Sequence, residues 1–294
     1  MSRRFVFIGV TTGSSSIVPI FPRWRDALGL PTDVELSGCD LPVGAPPETY
    51  RAAVAALKDD SGVLGALVTT HKIDVLRAAE DLFDELDEHA RALGEVSCIA
   101  RRDGRLLGWA KDTVTAARAL EHVAPAGYFA DGGHVLCLGA GGAGGAIVAH
   151  LVESDPPPAR IVVTDRSAER LERFTDPRVE PLLLDDATHL LAELPPRSLV
   201  INATGMGKDR PGSPVGPGAR FPERSAVWEL NYRGELGFLR QARAQAAERD
   251  LHVEDGWRYF IHGWAAVMEE VFQRRITDEE IERLSELAEF ARPT

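Results

Sequence analysis

Three groups of residues in this 294-residue chain could do chemistry together. Lys72 closes Gly65-Ala-Leu-Val-Thr-Thr-His-Lys72, an apolar run that breaks into a polar turn, and Asp112 stands in Gly108-Trp-Ala-Lys-Asp-Thr113, a second apolar run that ends the same way. Hydride loss from a secondary alcohol needs one group to take the hydroxyl proton and another to orient and charge-balance the first; a lysine and an aspartate can serve. The third group is a glycine-rich turn, Val135-Leu-Cys-Leu-Gly139-Ala140-Gly141-Gly142-Ala143-Gly144-Gly145. Its Gly139, Gly141 and Gly144 have the spacing that gives a tight turn, close backbone approach to a pyrophosphate, and close packing of helix on strand.

The flanks of that turn decide how it is read. Val135 to Leu138 reads as a short buried strand and Ala143 to Leu151 as an apolar helix. After the Pro-rich turn Asp155-Pro-Pro-Pro158, Arg160 to Asp165 reads as a second buried strand ending in an acid. Asp165 lies 21 positions beyond Gly144, near the spacing of roughly 20 at which a carboxylate meets the adenosine ribose. This β-α-β-acid order favours a dinucleotide site over a glycine-rich turn with no ligand.

Around these residues, apolar strands alternate with helical patterns. Before residue 110 strands are expected at Phe5 to Val10, Val34 to Leu41 and Gly65 to Thr69, and helices at Ile17 to Leu28, Glu48 to Asp59 and Asp74 to Leu86. A hairpin is expected from Val96 to Ala110 about Asp103-Gly104. Such alternation implies a mainly parallel sheet covered on both faces. A helix from about Thr113 to Ala124 leads to the glycine turn. Strands follow near 160–165, 179–184, 198–202 and 226–231, then a helix from Leu236 to Arg249. Two helical patterns, Asp255 to Phe272 and Asp278 to Phe290, close the chain. The expected fold is α/β: an N-terminal open α/β domain, 1–112, completed by the C-terminal helices of 252–294, and a Rossmann-like dinucleotide-binding domain at 113–251 between them. The Gly- and Pro-rich stretch Pro211 to Pro222 reads as a loop after a strand end, where open sheets place ligand contacts.

Composition narrows the function classes. With 44% hydrophobic residues the chain can bury a large core, and it has no run of 18 or more apolar residues. Its opening, Met-Ser-Arg-Arg-Phe-Val-Phe-Ile-Gly, reads as a strand and not a cleavable signal, so a cytoplasmic protein without membrane partners is expected. A net charge of −12 without a basic stripe argues against nucleic acid. Cys39, Cys98 and Cys137 share no metal-ligand spacing, so no metal site is expected. The acidic stretches Asp81 to Glu88 and Asp278 to Glu289 read as solvated helix faces. The expected partner is a small-molecule substrate, with the chain a monomer or a homodimer.

The order of these segments resembles the shikimate dehydrogenase family over nearly the whole chain. Gly9 and Ser14-Ser15-Ser16 are similar to its Ser-x-Ser loop, and Ala66 to Lys72 to its Asn-Val-Thr-x-Pro-x-Lys. Gly94-Glu-Val-Ser-Cys98 matches Gly-Ala-Val-Asn-Thr loosely, and Gly108 to Thr113 matches Gly-x-Asn-Thr-Asp-Gly. Residues 139–143 match Gly-Ala-Gly-Gly-Ala in full, Ile201-Asn202-Ala203-Thr204 matches Ile-Asn-Ala-Thr, and Asp255-Gly256 matches the Asp-Gly that opens the last helices. The resemblance implies a substrate domain and an NAD(P)-binding domain, with substrate in the cleft between them. It implies that Lys72 accepts or relays the hydroxyl proton and that Asp112 orients Lys72 and binds a substrate hydroxyl. The resemblance also implies that two of Ser14 to Ser16, expected to be Ser14 and Ser16, bind a carboxylate and that Tyr232 lies near the nicotinamide end. Asn202, Ala203 and Thr204 join the glycine turn as cofactor contacts.

Departures from the family pattern bear on the substrate. Ser97 stands for an asparagine, Val68 for a threonine, Ala110-Lys111 for Asn-Thr, and Gly263 for a glutamine, with His262 beside it. Each change alters a hydrogen-bond partner for a polyhydroxylated ring. Lys111 either meets a substrate carboxylate or points to the other face of its strand and is solvated. His71 reads as a bystander, His262 as a core histidine, and the serines alternatively as caps for the helix at Ile17. Cofactor preference rests on Thr164-Asp165-Arg166-Ser167: Asp165 favours NAD, whereas Arg166 and Arg170 would accept the extra phosphate of NADP. The expected activity is hydride transfer between NAD or NADP and a hydroxylated cyclic carboxylic acid, shikimate or a close relative. Alternatives are a quinate or amino-shikimate type dehydrogenase, or a dinucleotide-binding metabolite sensor without catalysis.

Overall fold

A computed structural model of the chain describes residues 3–208 and 210–293. They divide into two compact units, one made of Met1–Thr115 with Ile261–Pro293, the other of Ala116–Phe260. The first unit begins with β1 (Arg3–Gly9), α1 (Ile17–Ala27), β2 (Val34–Asp40), α2 (Pro47–Asp59), β3 (Val63–Val68) and α3 (Lys72–Ala79). Then come β4 (Glu85–Leu86), α4 (Glu88–Leu93), β5 (Cys98–Arg102), β6 (Arg105–Trp109) and the start of α5 (Asp112–Val123). Its six strands lie in the order β2-β1-β3-β5-β6-β4, with β5 antiparallel to both its neighbours and the other pairings parallel. The β5–β6 hairpin turns at Asp103-Gly104, both with positive φ (51° and 78°), as a tight two-residue turn requires. Helix α2 buries Tyr50, Val54 and Leu57, one face at helical spacing, in a cluster with Ile8, Val68 and Ile99.

This topology brings chemistry-bearing residues to one edge. The chain leaves β1 for β2 on one side and returns to β3 on the other, so the carboxyl ends of β1 and β3 flank a switch point where open sheets bind ligands. Because β5 runs against β3 and β6 runs against β5, the start of β5 and the end of β6 lie at that same edge.

The second unit contains β7 (His134–Leu138), α6 (Gly142–Val152), β8 (Arg160–Asp165), α7 (Ala168–Leu171), β9 (Val179–Leu183), α8 (Thr188–Leu191), β10 (Leu199–Asn202) and β11 (Ala226–Glu229). It closes with α9 (Gly237–Arg249), β12 (His252–Glu254) and the start of α10 (Trp257–Val271), after which α11 (Asp278–Ala288) belongs to the first unit. The sheet is fully parallel, in the order β12-β11-β10-β7-β8-β9, with its switch point between β7 and β10. Val135 and Cys137 of β7 enter one buried cluster, Leu136 and Leu138 the other, so the strand is apolar throughout because both faces are covered.

Three expectations differ from the structure. The helix expected from Asp74 to Leu86 ends at Ala79, and the acidic stretch Asp81 to Glu88 is a short 3₁₀ turn and a two-residue strand, not a helix face. Its acids serve local backbone groups: Asp84 accepts from Leu106 N at 2.7 Å, and Asp87 caps α4 by accepting from Ala90 N at 2.7 Å. Asp and Asn compete for backbone donors in this way and favour turns and caps over helix interiors. His252–Glu254, read as the beginning of the returning C-terminal segment, is instead a strand parallel to Ala226–Trp228. The serines do not cap α1: Ser16 is already helical (φ −54°, ψ −26°) and makes no side-chain cap bond, because a 3₁₀ turn over Thr12–Ser14 leads into the helix. Among the described residues no helix is long and apolar enough to cross a membrane.

Candidate active site

Lys72 is the first residue of α3, directly after the turn that follows β3, and Asp112 is the first residue of α5, directly after β6. Forty residues apart in sequence, they meet as a hydrogen-bonded ion pair, with side chains 19% and 8% exposed. Burial by itself would lower the pKa of Lys72, but the negative charges of Asp112 and Glu95 outweigh it and hold the ammonium above its ordinary value. Lys72 is therefore charged at neutral pH. Glu95, fully buried, was not singled out in the sequence; it follows α4 and precedes Val96, whose N–H donates to the Lys72 carbonyl at 3.1 Å. A lysine between two carboxylates is the central feature of this edge.

The other residues named for the substrate are distributed around it. Ser97 is buried; its hydroxyl accepts from Lys111 N at 2.7 Å and so ties the start of β5 to the residue before Asp112. Lys111 does not stand free in solvent: its ammonium pairs with Glu270 of α10, a carboxylate on the neighbouring helix. Gly263, also on α10, has room for a Cβ beside Thr115, which would lie 3.6 Å from it. Thr115 is buried, and its hydroxyl has no hydrogen-bond partner among the described residues. Val68 packs in the core cluster of this unit. Ser14 is exposed, whereas Ser15 and Ser16 are buried. Asp40, at the end of β2, pins the turn that carries them by accepting from Thr12 N at 2.7 Å and Thr12 Oγ1 at 2.5 Å. His71 has its ring buried against Tyr50 Oη (3.3 Å) and the Leu41 carbonyl (2.8 Å), and His262 is buried in α10.

In the second unit, the glycine turn between β7 and α6 forms a cradle. Gly139 has a φ of +105°, and a Cβ there would sit 2.7 Å from the Ala203 carbonyl, so only glycine fits. Gly144 packs against the Gly139 carbonyl, and its Cβ would lie 3.1 Å from that carbonyl carbon and closer still to its oxygen. Gly141 is the opposite case: a Cβ there meets nothing within 4 Å, so the absence of a side chain is not demanded by the protein itself. It precedes Gly142 and Ala143 at the head of α6, where unpaired N–H groups and the helix dipole favour an anion. These residues fit the pyrophosphate of a dinucleotide.

Asp165, at the end of β8, accepts from Ala140 N at 2.8 Å and from Ser167 N at 2.9 Å, so the acid braces the glycine turn. A hollow lined in part by Gly141, Thr164, Asp165, Arg166, Arg170 and Arg210 opens beside it. Arg166 pairs with Asp185 at 2.8 Å, and Arg170 lies 3.9 Å from Asp165. On the other side of the switch point, Asn202 ends β10, with Ala203 N donating to Leu138 O at 2.7 Å and Thr204 N to Asn202 Oδ1 at 3.1 Å. Tyr232, after β11, packs edgewise on Trp257 and against Phe260. Glu229, at the end of β11, was also not singled out, because a buried glutamate and a surface glutamate look alike in sequence.

A cradle for a pyrophosphate, in a chain that also holds a charged lysine against a carboxylate at a strand edge, places the protein among the NAD(P)-dependent oxidoreductases that act on CH–OH groups. Comparison with known proteins narrows the class. No family model matches the chain. It is 33% identical over 173 residues to a shikimate dehydrogenase (NADP(+)) of Streptococcus thermophilus, covering 56% of this chain and 59% of that protein. It is 31% identical over 231 residues to a shikimate dehydrogenase (NADP(+)) of Xanthomonas euvesicatoria, covering 78% and 75%. The crystal structure of shikimate 5-dehydrogenase from Thermus thermophilus, in complex with NADP(H) and shikimate, aligns with a TM-score of 0.71 at 25% identity over 98% of this chain and 99% of that one. The chain belongs to the shikimate dehydrogenase family.

Proposed function

We propose that this protein interconverts a ring hydroxyl and its ketone on a hydroxylated cyclic carboxylic acid of the shikimate type. The observation that carries the reading is the Lys72–Asp112 pair, a partly buried lysine held charged at the strand edge of the first unit where open sheets bind ligands. A bound nicotinamide dinucleotide supplies the hydride in reduction and takes it in oxidation. In reduction, the Lys72 ammonium gives a proton from Nζ to the carbonyl oxygen as that oxygen gains negative charge. In oxidation, neutral Lys72 takes the hydroxyl proton as the hydride leaves carbon. Asp112 keeps Nζ oriented and has lone pairs left to accept from a substrate hydroxyl. The turn of Ser14 to Ser16 would meet the carboxylate, with Asp40 holding it in place.

NAD is the proposed preferred dinucleotide. Asp165 sets a carboxylate where a 2′-phosphate would be repelled and a free 2′-hydroxyl accepted, and the two arginines nearby already face Asp185 and Asp165. The relatives described above are named for NADP(+), so this preference is assigned to the present chain alone. A second reading has its own support: the space at Gly263 beside the Thr115 hydroxyl favours a ring with one more polar substituent than shikimate, as in quinate.

One panel tests these readings: shikimate, quinate and related hydroxy acids, each with NAD and with NADP, followed by nicotinamide absorbance. Turnover with shikimate or quinate is expected. No turnover of any acid, with cofactor binding retained, would refute the substrate class; a higher kcat/KM with NADP than with NAD would refute the cofactor preference.

A further inference from the structure

The mechanism leaves one buried acid unused. Glu229, 0% exposed, ends β11 in the second unit. Its Oε1 accepts from Asn231 N at 2.8 Å and from Asn231 Nδ2 at 2.6 Å, and its Oε2 accepts from Asn202 Nδ2 at 2.6 Å. Each asparagine reaches onward. Asn202 Oδ1 accepts from Thr204 N at 3.1 Å and Thr204 Oγ1 at 2.6 Å, and Thr204 Oγ1 accepts from Met206 N at 3.1 Å. Asn231 Nδ2 also donates to Met206 O at 3.1 Å. One carboxylate thus joins the segment after β10, residues 203–206, to the segment after β11, residues 230–232. Ala203 is the residue against which Gly139 of the cradle is packed, so the network reaches the dinucleotide turn directly.

We propose that Glu229 is a positioning residue that sets dinucleotide affinity by locking these two segments together, and that its protonation loosens the lock. The inference rests on the dinucleotide reading of this unit. The physical reason lies in the donor count. All three groups facing the carboxylate from the asparagines are N–H donors, and the Asn202 amide cannot simply turn over, because Thr204 N–H must donate to its oxygen. A proton on Oε2 would therefore face a donor, and either that hydrogen bond or the one to Thr204 would be lost. Such a loss in a buried network is costly, since the groups left behind have no water to turn to.

The charge environment makes the proton available near neutral pH. Burial pushes Glu229 up to about 7, with the asparagine hydrogen bonds opposing and the negative charge of Asp255 assisting. Asp255 pairs with Arg243 of α9 at 3.7 Å. The sign follows: a raised carboxyl pKa means that the ligand-free fold gains from protonation as pH falls through about 7, whereas a bound state that needs the carboxylate is favoured as pH rises through it.

The test is calorimetric titration of the full-length protein with NAD and, separately, NADP from pH 5.5 to 8.5, for the wild type and for Glu229→Gln, with thermal unfolding as a check on folding. The wild type should bind more weakly below about pH 7. Glu229→Gln should bind about tenfold more weakly at high pH and lose the pH dependence. Asn231→Ala provides a second route if the glutamine variant does not fold: it removes one of the three donors, the Asn231 Nδ2 group, and leaves the backbone N–H in place, which should move the midpoint of the pH dependence upward. Equal affinity and equal pH profiles for wild type and Glu229→Gln, or an unmoved midpoint in Asn231→Ala, would overturn the proposal. Failure of the wild type to bind either dinucleotide at any pH would instead overturn the dinucleotide reading on which it rests.

Discussion

Gly141 and Gly144 sit three residues apart in the same turn, yet the structure predicts opposite consequences for replacing each with alanine. At Gly144 the new methyl would fall 3.1 Å from the Gly139 carbonyl carbon, closer still to its oxygen, and 3.4 Å from the Ala203 Cβ. Two of these obstacles are backbone atoms that cannot rotate away, so α6 must lift from β7. Overpacking of this kind costs about 1–3 kcal/mol, and for a unit of this size that lowers Tm by roughly 3–10 °C. At Gly141 the methyl meets nothing within 4 Å, and a φ of −72° suits any residue. Stability should stay within about 1 kcal/mol, because a modest entropic gain from restricting the unfolded chain offsets a slightly poorer cap. In the proposed dinucleotide site that open space is where a pyrophosphate would approach the backbone. Gly141→Ala should then raise the Kd for NAD and NADP by about tenfold or more, that is by at least about 1.4 kcal/mol. Thermal unfolding and cofactor titration of both variants read the two effects separately. If Gly141→Ala binds the dinucleotides within about twofold of wild type, or melts as early as Gly144→Ala, the account of the cradle is wrong.

Other expectations follow from the remaining site residues. Lys72→Ala should lower kcat by about 10²–10⁴-fold with cofactor Kd unchanged; turnover within a few-fold of wild type would remove Lys72 from the chemistry. Glu95→Gln takes away one of the two negative charges that hold the Lys72 pKa up, so that pKa should fall. Oxidation needs neutral Lys72, and its rise toward alkaline pH should shift to lower pH in that variant. The chain has only four lysines, so lysine-selective NMR titration measures the change directly, and an unshifted Lys72 resonance would contradict the assignment. Asp165→Asn should move the ratio of kcat/KM for NAD over NADP toward NADP by about tenfold; an unchanged ratio would show that Asp165 does not set cofactor choice.

The α/β class was legible before any coordinates because its signals are local and long: apolar runs of strand length, helices at 3.6-residue spacing, and Asp103-Gly104 for the hairpin. Where the signal was short, it misled. Asp81 to Glu88 carries apolar residues at helical spacing, yet its acids are spent on the backbone of α4 and of β6, and those partners are distant or local in ways that periodicity does not register. His252–Glu254 is a three-residue strand, too brief to show alternation, and it exists because β11 offers an open edge to pair with.

By itself the sequence determined which residue types were available and where the chain must bend: the glycines at 139, 141 and 144, the acid at 165, the lysine at 72 and the aspartate at 112. It could nominate Lys72 and Asp112 but not bring them together, since their meeting depends on β6 running parallel to β3 through an antiparallel β5. The tertiary structure alone decided that Lys111 is taken by Glu270, that Glu95 adds a second charge behind Lys72, and that Glu229 is a buried junction and not a surface acid. The physical reason is common to all three. The behaviour of an ionisable side chain depends on its desolvation and on the charges facing it, and both are properties of the packed fold that a linear order of residues does not contain.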